Sequence, residues 1–532
     1  MLNKNSISCW RFSLIAGVIT LVHAGSPVLA QGFFENAARH SQQGIYGSAK
    51  ALGMGGSLMG IGADPSSLSF NPAAPGLARK SSMQFSLVPF LTTANSTFRG
   101  SEVSSEQAGM PFGTFGISLS DKNDNASGFR GGVFTVNYNR TQQSSRKVSW
   151  EGSTKLYQEA GKVSKNSIID YWLDNLNKPG YYPENIIQNP QPIFGDNFKN
   201  DAVMAYDAYL LDTAGAEFVS AFPQSDLDKS GSFSQTMNTG NWNFGYSADF
   251  DDKFFLGFSV LYHTANYSAD IQYKEQIRNV YVDIANPDYA LLQKFRGVDF
   301  TLSKAISQSS KGVGANIGFL YKASDALRFS AAIQLPTLTW MTEKYTPKIN
   351  YNYNGFNYFG NVLNSGEITW FDNEFSYKLR LPARYRAGLT YIAGKSGMFE
   401  VNMELTNPGS AKIYDGDGYN FTTDNPQISA NYGTQLNIRS GGELRFGEYR
   451  VRAGFSWLQT ALKSDAQFRS NVPGDMVFLT GGFGAKFDLW YWDAALVTGY
   501  YSLKNNYVSG YDQDVQTKIN QLQLHFGLGF FL

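Results

Sequence analysis

The C-terminal end of the chain alternates between apolar and polar residues. Its sequence is Asn520-Gln-Leu-Gln-Leu-His-Phe-Gly-Leu-Gly-Phe-Phe-Leu532. Even-numbered positions from Leu522 onward are all apolar, whereas odd-numbered positions hold Gln, His and Gly, with Phe531 as the exception. Because successive side chains of a β-strand point to opposite faces, this pattern predicts a strand with one apolar and one polar face. A strand in a soluble sheet can alternate in the same way.

The same two-faced pattern recurs along the chain, at residues 242–250, 313–321, 449–457 and 490–500. In each segment the aromatic residues lie toward the ends of the apolar face and the aliphatic residues toward its middle. That distribution is typical of a lipid-facing strand, whose aromatic side chains lie at the two membrane interfaces. The recurrence favours a transmembrane barrel over a secreted soluble all-β protein.

Fourteen segments qualify as strands, and they predict an all-β, 14-stranded antiparallel transmembrane β-barrel over residues 81–532. They are 83–90, 112–120, 129–139, 242–250, 254–262, 312–322, 327–335, 373–392, 398–405, 434–445, 449–457, 477–487, 490–501 and 520–532. The segment 373–392 counts as one strand because its apolar parity runs unbroken through Pro382. Short and long connections then alternate, which predicts short periplasmic turns and long extracellular loops, the largest at 140–241.

The first thirty residues have the features of a secretory signal peptide. Lys4 and Arg11 precede an apolar run, and small residues end at Ala30, where cleavage is expected. The single cysteine, Cys9, lies inside this segment, so the mature chain is expected to contain no disulfide. These features predict an outer-membrane protein of a Gram-negative bacterium with both termini in the periplasm.

Composition provides little support for other classes of function. The 44 basic and 44 acidic residues cancel, which gives no electrostatic case for binding nucleic acid. His40, His263 and His525 are far apart in sequence and have no metal-ligand spacing, so no metal, cofactor or enzymatic activity is expected. A Ser-His pair involving His525 is the weak enzymatic alternative.

Residues 31–80, between the signal peptide and the first strand, are rich in glycine and other small residues. A phosphate-binding loop is a poor interpretation, since no Lys-Ser pair follows the glycines and no βαβ context surrounds them. A periplasmic linker is possible. A compact plug, or hatch, in the lumen is the better hypothesis, because fourteen strands enclose more space than wall side chains can fill.

This hatch segment resembles the N-terminal hatch of the FadL-type outer-membrane transporters of long-chain fatty acids and aromatic hydrocarbons. The resemblance rests on Gly47-Ser-Ala-Lys-Ala-Leu-Gly-Met-Gly55, with Lys50 where the family has arginine, and on Asp64-Pro-Ser-Ser followed by Asn71-Pro-Ala73. Parts of the wall and the terminal strand are also similar, whereas the long loops do not match. The hatch residues singled out in this way are Gly53, Gly55, Gly56, Asp64, Asn71, Pro72 and Ala73.

The resemblance implies a barrel plugged by the hatch and a route for hydrophobic molecules. Ligand is captured among outer loops, passes to a pocket in the lumen, and leaves sideways through a gap in the wall. It also implies that Asn71 and Pro72 anchor the hatch and that the gap lies at the third strand, where Gly131 and Gly132 permit a kink.

Two stretches of the 140–241 loop have helix-like apolar spacing and are candidates for capturing ligand. The candidate residues are Ile169, Trp172, Leu173, Tyr206 and Leu210. The alternative is that these side chains only pack against each other to cap the barrel.

Three functions remain open on this reasoning. The first is transport of a hydrophobic small molecule. The second is a porin for polar solutes, in which the inward-facing charged side chains select solutes instead of pairing with each other. The inward-facing charged residues are Arg384, Arg386, Glu400, Glu404, Arg439, Glu443, Arg445, Arg450 and Arg452. The third is a barrel that scaffolds a secretion or surface-attachment system. The expected partners are outer-membrane lipid and, during biogenesis, the barrel-assembly machinery. The aromatic end Phe530-Phe531 resembles the signal that this machinery recognises. A monomer is expected.

Overall fold

The computed structural model describes most of the chain after the first thirty-two residues. The described residues are 33–62, 64–122, 128–155, 158–159, 162–163, 165–177, 197–215, 217–281, 289–358, 361–369, 373–414, 416, 421, 424–466, 472–505 and 515–532. The predicted signal peptide, 1–30, lies outside them.

The fold is a closed antiparallel barrel whose wall crosses fourteen times, as predicted. Wall strands 1 and 2 are each made of two segments, β1 (Ser82–Leu87) with β2 (Phe90–Phe98), and β3 (Ser101–Gly109) with β4 (Phe112–Lys122). Wall strands 3 to 6 are β5 (Phe129–Thr154), β10 (Ser225–Phe250), β11 (Phe254–Val280) and β12 (Asp299–Lys322). Wall strands 7 and 8 are again divided, into β13 (Leu327–Gln334) with β14 (Leu338–Tyr358), and β16 (Asn373–Arg380) with β17 (Arg384–Ala393). Wall strands 9 to 14 are β18 (Gly397–Thr406), β20 (Gln435–Phe446), β21 (Tyr449–Leu458), β22 (Met476–Lys486), β23 (Trp490–Asn505) and β24 (Val515–Phe531).

The last wall strand closes the barrel by pairing with the first. Phe530 is paired with Met83, and Leu522 with Leu91. The two faces of this strand are those that the sequence predicts: Leu522 and Phe526 are 45% and 50% exposed on the outside, whereas His525 is 4% exposed inside. The outer face is therefore the apolar one, as a membrane requires.

Six short helices and the remaining short strands complete the described structure. The helices are α1 (Phe33–Ser41), α2 (Ala49–Gly53), α3 (Ile168–Leu176), α4 (Asn197–Asp207), α5 (Tyr289–Leu292) and α6 (Asp424–Asn431). Single 3-10 turns lie at Pro65–Ser69, Ala74–Leu77, Gln293–Phe295 and Pro408–Ser410. The short strands are β6 (Gln158–Glu159), β7 (Lys162–Val163), β8 (Leu211–Ala214), β9 (Glu217–Ser220), β15 (Asn361–Thr369) and β19 (Lys412–Tyr414).

No helix among the described residues combines the length and the apolar character that a membrane-crossing helix needs.

Several wall strands are longer than predicted, and much of what was predicted as loop is strand. Strand pairing continues to Thr154 and resumes at Ser225, so the 140–241 connection is shorter than expected. The hairpin β2–β3 likewise occupies the predicted 91–111 loop. These extensions carry Ser, Thr, Gln and Lys on their outer face, because they stand beyond the apolar band. The lipid-facing alternation on which the prediction relied therefore fades although the ladder continues.

Four wall strands are interrupted at prolines, and the interruptions face each other in pairs. Pro89 in strand 1 lies beside Pro111 in strand 2, and Pro336 in strand 7 lies beside Pro382 in strand 8. A proline lacks the backbone N–H that the ladder needs, which explains the breaks. Both halves of 373–393 pair with the two halves of strand 7, so merging them across Pro382 was correct.

The hatch segment lies inside the barrel. Its described residues contact inward-facing side chains of wall strands on several sides, including Asn137 and Asn243 on one side and Glu400 and Ser456 on another. Most of its side chains are buried.

Candidate functional site

The glycines of the hatch segment allow its backbone to touch the wall. Gly55 has φ +68°, and a Cβ at this position would lie 2.7 Å from the carbonyl oxygens of both Phe455 and Ser440. The wall residues that face Gly55 also lack side chains, since a Cβ on Gly441 or Gly454 would collide with the backbone of Met54 or Gly55. Gly55 N–H donates to Thr480 Oγ1 at 3.0 Å. Glycine is therefore needed on both sides of this contact.

The Asn71-Pro72-Ala73 motif makes a second backbone contact with the opposite wall. Asn71 Nδ2 donates to the carbonyl of Phe319 on wall strand 6 at 3.2 Å and to that of Met59 at 2.9 Å. Wall glycines again make room, because a Cβ on Gly257 or Gly318 would strike residues 71–73. The asparagine side chain thus joins the two halves of the hatch segment to the wall.

Asp64 organises the hatch segment internally. Its carboxylate accepts hydrogen bonds from Ser48 Oγ at 2.5 Å, from the Ser66 backbone N–H at 2.9 Å, and from Gln84 Nε2 at 2.6 Å. Ser48 also caps helix α2, so one carboxylate links a helix start, a 3-10 turn and wall strand 1.

Buried charges of the lumen pair with each other and hydrogen-bond to the hatch segment. Glu400 is fully buried and accepts from the backbone N–H groups of Met59 at 2.6 Å and Gly60 at 2.9 Å. Arg386 donates to the Ser69 carbonyl at 3.0 Å while its Nε lies 2.6 Å from Glu404. These charges are thus paired or hydrogen-bonded, in the way that buried ions require.

Helix α1 packs against aromatic side chains near the long-loop end. Phe33 lies 5.3 Å from Phe375 and 5.4 Å from Phe421, measured between ring centroids. On its polar side, Asn36 Nδ2 donates to Tyr377 Oη at 2.7 Å.

Two ionisable groups of helix α1 are buried with little compensation. Burial raises the pKa of Glu35 to about 7, and the Glu343 carboxylate adds to this rise, although Arg39, 3.5 Å away, acts to lower it. Burial likewise lowers the pKa of His40 to about 3, despite the contact of its Nε2 with Gln308 Oε1 at 3.2 Å. Both groups are therefore neutral in the docked helix at a mildly acidic pH.

The hydrogen-bonded ladder between wall strands 2 and 3 is interrupted over part of its length, and we call this gap in the ladder the opening. These strands are paired from Thr114–Asn139 down to Lys122–Gly131. Past the Thr114–Asn139 end of this ladder, β3 pairs with β2 instead. Within the described residues, no ladder joins β3 to residues 140–154 of β5. The edge of the opening is held by Arg140, whose Nε donates to the Phe112 carbonyl at 2.6 Å. Above the opening, the β2–β3 hairpin packs against wall strand 3 through side chains, with Phe98 of β2 lying 4.8 Å from Trp150 of β5 between ring centroids.

Gly131 and Gly132, the predicted kink, lie below this opening. Gly131 has φ +90° and sits beside a register shift in the pairing with wall strand 4. The ladder is nevertheless intact at both glycines on the side of wall strand 2. The unpaired stretch begins at Arg140, just past the Thr114–Asn139 pair and next to the bulge at Thr141.

A cavity of about 60 Å³ lies against this opening, inside the wall. Its lining joins the hatch segment, the interrupted strands 1 and 2, the bulge of strand 3 and wall strands 12 to 14. Apolar side chains cover one part, including Ile45, Val88 and Phe478, and polar side chains cover another, including Gln142, Gln523 and His525. The cavity is therefore amphipathic.

Two buried polar atoms of this cavity have no hydrogen-bond partner among the described residues. They are Gln142 Oε1 and His525 Nδ1, on side chains that are 8% and 4% exposed. His525 Nε2 lies 2.9 Å from Gln523 Oε1, which can only accept, so Nδ1 is left as an acceptor. A hydroxyl or a protonated carboxyl that enters the cavity can donate its one hydrogen bond to either of these acceptors.

The outer-loop residues form a packed cluster above the barrel. Ile169, Trp172 and Leu210 are at most 2% exposed, and Leu173 and Tyr206 are partly buried against the same cluster. The capping helix α3 is fixed by Glu275, which accepts from Ser167 Oγ at 2.6 Å. Only Leu173 and Tyr206 of the five therefore offer apolar surface to a ligand in this conformation.

The resemblance led us to expect a gap at the third strand, but sequence reasoning did not find the cavity beside the opening. Val88, Gly113 and Gln142 gave no motif, because they come together only through the closed wall. Pro89 and Pro111 were an available signal, since prolines interrupt ladders.

Comparison with known proteins bears on the fold alone. No protein-family model matches the sequence, and no curated protein matches it. The structure is similar to that of a Pseudomonas aeruginosa FadL homologue, with a TM-score of 0.52 at 13% identity, covering 92% of this chain and 99% of that one. It is also similar to the toluene transporter TodX of P. putida, with a TM-score of 0.51 at 12% identity, covering 92% and 99%. The chain therefore has the fold of the FadL-type transporters.

Proposed function

We propose that this protein transports hydrophobic small molecules, such as long-chain fatty acids, across the outer membrane of a Gram-negative bacterium. The observation that carries the proposal is the amphipathic cavity between the hatch segment and the opening in the wall. Its apolar lining suits a hydrocarbon chain, which gains free energy when it leaves water. Its two unsatisfied acceptors suit the polar end of the same molecule.

The proposed exit is sideways, through the opening between wall strands 2 and 3. Exposed apolar side chains border its lower edge, since Leu87 and Phe112 are 40% and 39% exposed on the outer surface. A molecule that leaves here passes from the cavity to lipid without crossing an aqueous channel. In this proposal Leu173 and Tyr206 take part in capturing the ligand at the outer surface, and the hatch segment moves to let it pass. The short-turn end of the barrel faces the periplasm. Gly131 and Gly132 would serve as the flexible base of the opening.

The porin alternative is less favoured because the inward charges are engaged. Arg384 and Arg386 each pair with Glu404 and donate to carbonyl groups of the hatch segment, so they do not line open water. The scaffold alternative has no specific observation in its favour.

The test is uptake of a radiolabelled long-chain fatty acid by cells that lack their own importer and express this protein. Gln523→Trp places a large side chain in the cavity from the wall, and we expect it to reduce uptake about tenfold, since the ring occupies space that a ligand needs. Gln516→Trp, on the outward face of the same strand, is the matched control and should leave uptake unchanged.

Conductance in planar bilayers distinguishes the porin alternative. An open ion channel without fatty-acid uptake would overturn the proposal. Uptake that Gln523→Trp does not affect would remove the cavity from the route.

A further inference from the structure

A second cavity, of about 260 Å³, lies at the short-turn end of the barrel, away from the wall opening. Wall strands 7 to 14 form its outer side, and the hatch residues Lys50, Ile61, Gly62 and Asp64 form its inner side. The cavity thus separates the underside of the hatch segment from the mouth of the barrel.

Its lining has an excess of positive charge. Six lining residues are basic and three are acidic, which leaves three more cations than anions. The basic residues are Lys50, Arg328, Arg445, Arg450, Arg452 and Lys486.

The three acidic residues are already engaged. Glu443 lies 2.8 Å from Arg452 and 2.9 Å from Arg445, and Asp493 lies 2.6 Å from Arg452. Asp64 accepts hydrogen bonds from within the hatch segment and from wall strand 1. Three acids cannot neutralise six cations, so the lining keeps a net positive charge.

Four cations keep free donor capacity toward the cavity. Lys50 and Lys486 have no ion pair or hydrogen bond from their Nζ atoms among the described residues, and Lys486 Nζ instead lies 4.9 Å from the centre of the Phe531 ring. Arg328 donates through Nη1 to the Gly60 carbonyl, while its Nε is buried without a partner in the part of the chain described. Arg450 Nη1 donates to the carbonyls of Gly447 at 2.6 Å and Tyr449 at 2.8 Å, and its Nε lies 4.0 Å from Glu443 Oε1, so its donor toward the cavity is Nη2.

We propose that this cavity is a binding site for a small phosphate- or carboxylate-bearing anion. Such an anion would accept charge-assisted hydrogen bonds from Lys50 on the hatch segment and from Arg328, Arg450 and Lys486 on the wall. It would relieve the repulsion among cations that share a partly enclosed space. The volume suits a headgroup or a free anion and is too small for a folded peptide segment.

The bound anion links the hatch segment to the wall, because its ligands come from both. Lys50 is the one cation of the four that lies on the hatch segment. The anion therefore stabilises the docked hatch, whatever cargo the barrel carries.

The test titrates inorganic phosphate into the full-length protein in phosphatidylcholine nanodiscs, followed by isothermal calorimetry. We expect saturable binding that the double variant Lys50→Gln/Lys486→Gln weakens by at least about tenfold, since each lost charge removes a charge-assisted hydrogen bond. The control double variant Lys253→Gln/Lys395→Gln removes two exposed lysines from other short turns and should bind phosphate as the wild type does. Heat-dependent mobility in gels verifies that each variant forms the barrel.

A second arm distinguishes the source of the anion. If the natural ligand is a lipid headgroup, nanodiscs that contain phosphatidylglycerol will compete with phosphate; if it is a free anion, they will not. Absence of saturable phosphate binding in the wild type, or equal loss in the control variant, would overturn the proposal.

Discussion

At the scale of single residues, the contact between the hatch segment and the wall depends on glycine facing glycine. Gly55 approaches two wall carbonyls so closely that any side chain must displace the backbone, and its φ of +68° is itself unfavourable for other residues. The sequence singled out Gly55 as part of the hatch motif, but it did not indicate Gly441 and Gly454 as its partners in the wall.

We expect Gly55→Ala to loosen the hatch segment without preventing barrel formation. Strain and lost contact should cost about 1–3 kcal/mol of docking free energy. Hydrogen exchange over residues 45–62 should accelerate, while exchange in the wall strands stays unchanged. Gly44→Ala is the control, because a Cβ there meets nothing within 4 Å. Unchanged exchange in Gly55→Ala would show that the close approach is not what holds the segment.

At the scale of elements, helix α1 is docked through groups that titrate in opposite directions. Glu35 has an ordinary pKa of 4.5 when released and about 7 when docked, so its contribution is present below pH 4.5 and is lost as pH rises toward 7. His40 has an ordinary pKa of 6.5 when released and about 3 when docked, so its contribution is present above pH 6.5 and is lost as pH falls toward 3.

We expect docking of helix α1 to be most stable between about pH 4.5 and 6.5, where the two opposing slopes cancel. Each slope is about 1.4 kcal/mol per pH unit. In Glu35→Gln the Glu35 slope is absent, and docking should strengthen from pH 3 to 6.5 as the His40 contribution is recovered. Hydrogen exchange of residues 33–41 across this range measures both. A variant whose profile matches the wild type would contradict the assignment to Glu35.

At the scale of the whole molecule, the opening between wall strands 2 and 3 is the one described place where neighbouring wall strands lie side by side without a ladder over a long stretch. Phe98 and Gly152 face each other across it, and a Cβ on Gly152 would lie 3.2 Å from the Phe98 carbonyl oxygen. A disulfide at this point would tie β2–β3 to β5.

We expect the pair Phe98→Cys/Gly152→Cys to reduce fatty-acid uptake when oxidised and to recover it on reduction. The mature chain is expected to have no cysteine of its own, so the engineered bond is the only one. The pair Thr236→Cys/Ser268→Cys, at a register position of an intact ladder, is the control and should transport in both states. Equal uptake by the oxidised and reduced forms of the first pair would exclude this opening as the exit.

The sequence by itself determined the barrel and its strand count. The alternation that ends at Leu532 is a local property of each strand, because every second side chain must face lipid. The two faces of 520–532, the merging across Pro382 and the number of strands were therefore predictable. The length of the strands was not, since the wall beyond the membrane no longer needs an apolar face.

Only the tertiary structure decided where the lumen is filled and where it is open. The wall contacts the hatch backbone closely at Gly257, Gly318, Gly441 and Gly454. These contacts form because wall strands that are distant in sequence curve around the hatch segment. The cavity beside Gln142 and the basic cavity beside Lys50 each collect residues from both ends of the chain. Such sites depend on closure of the wall, a long-range property that no local pattern encodes.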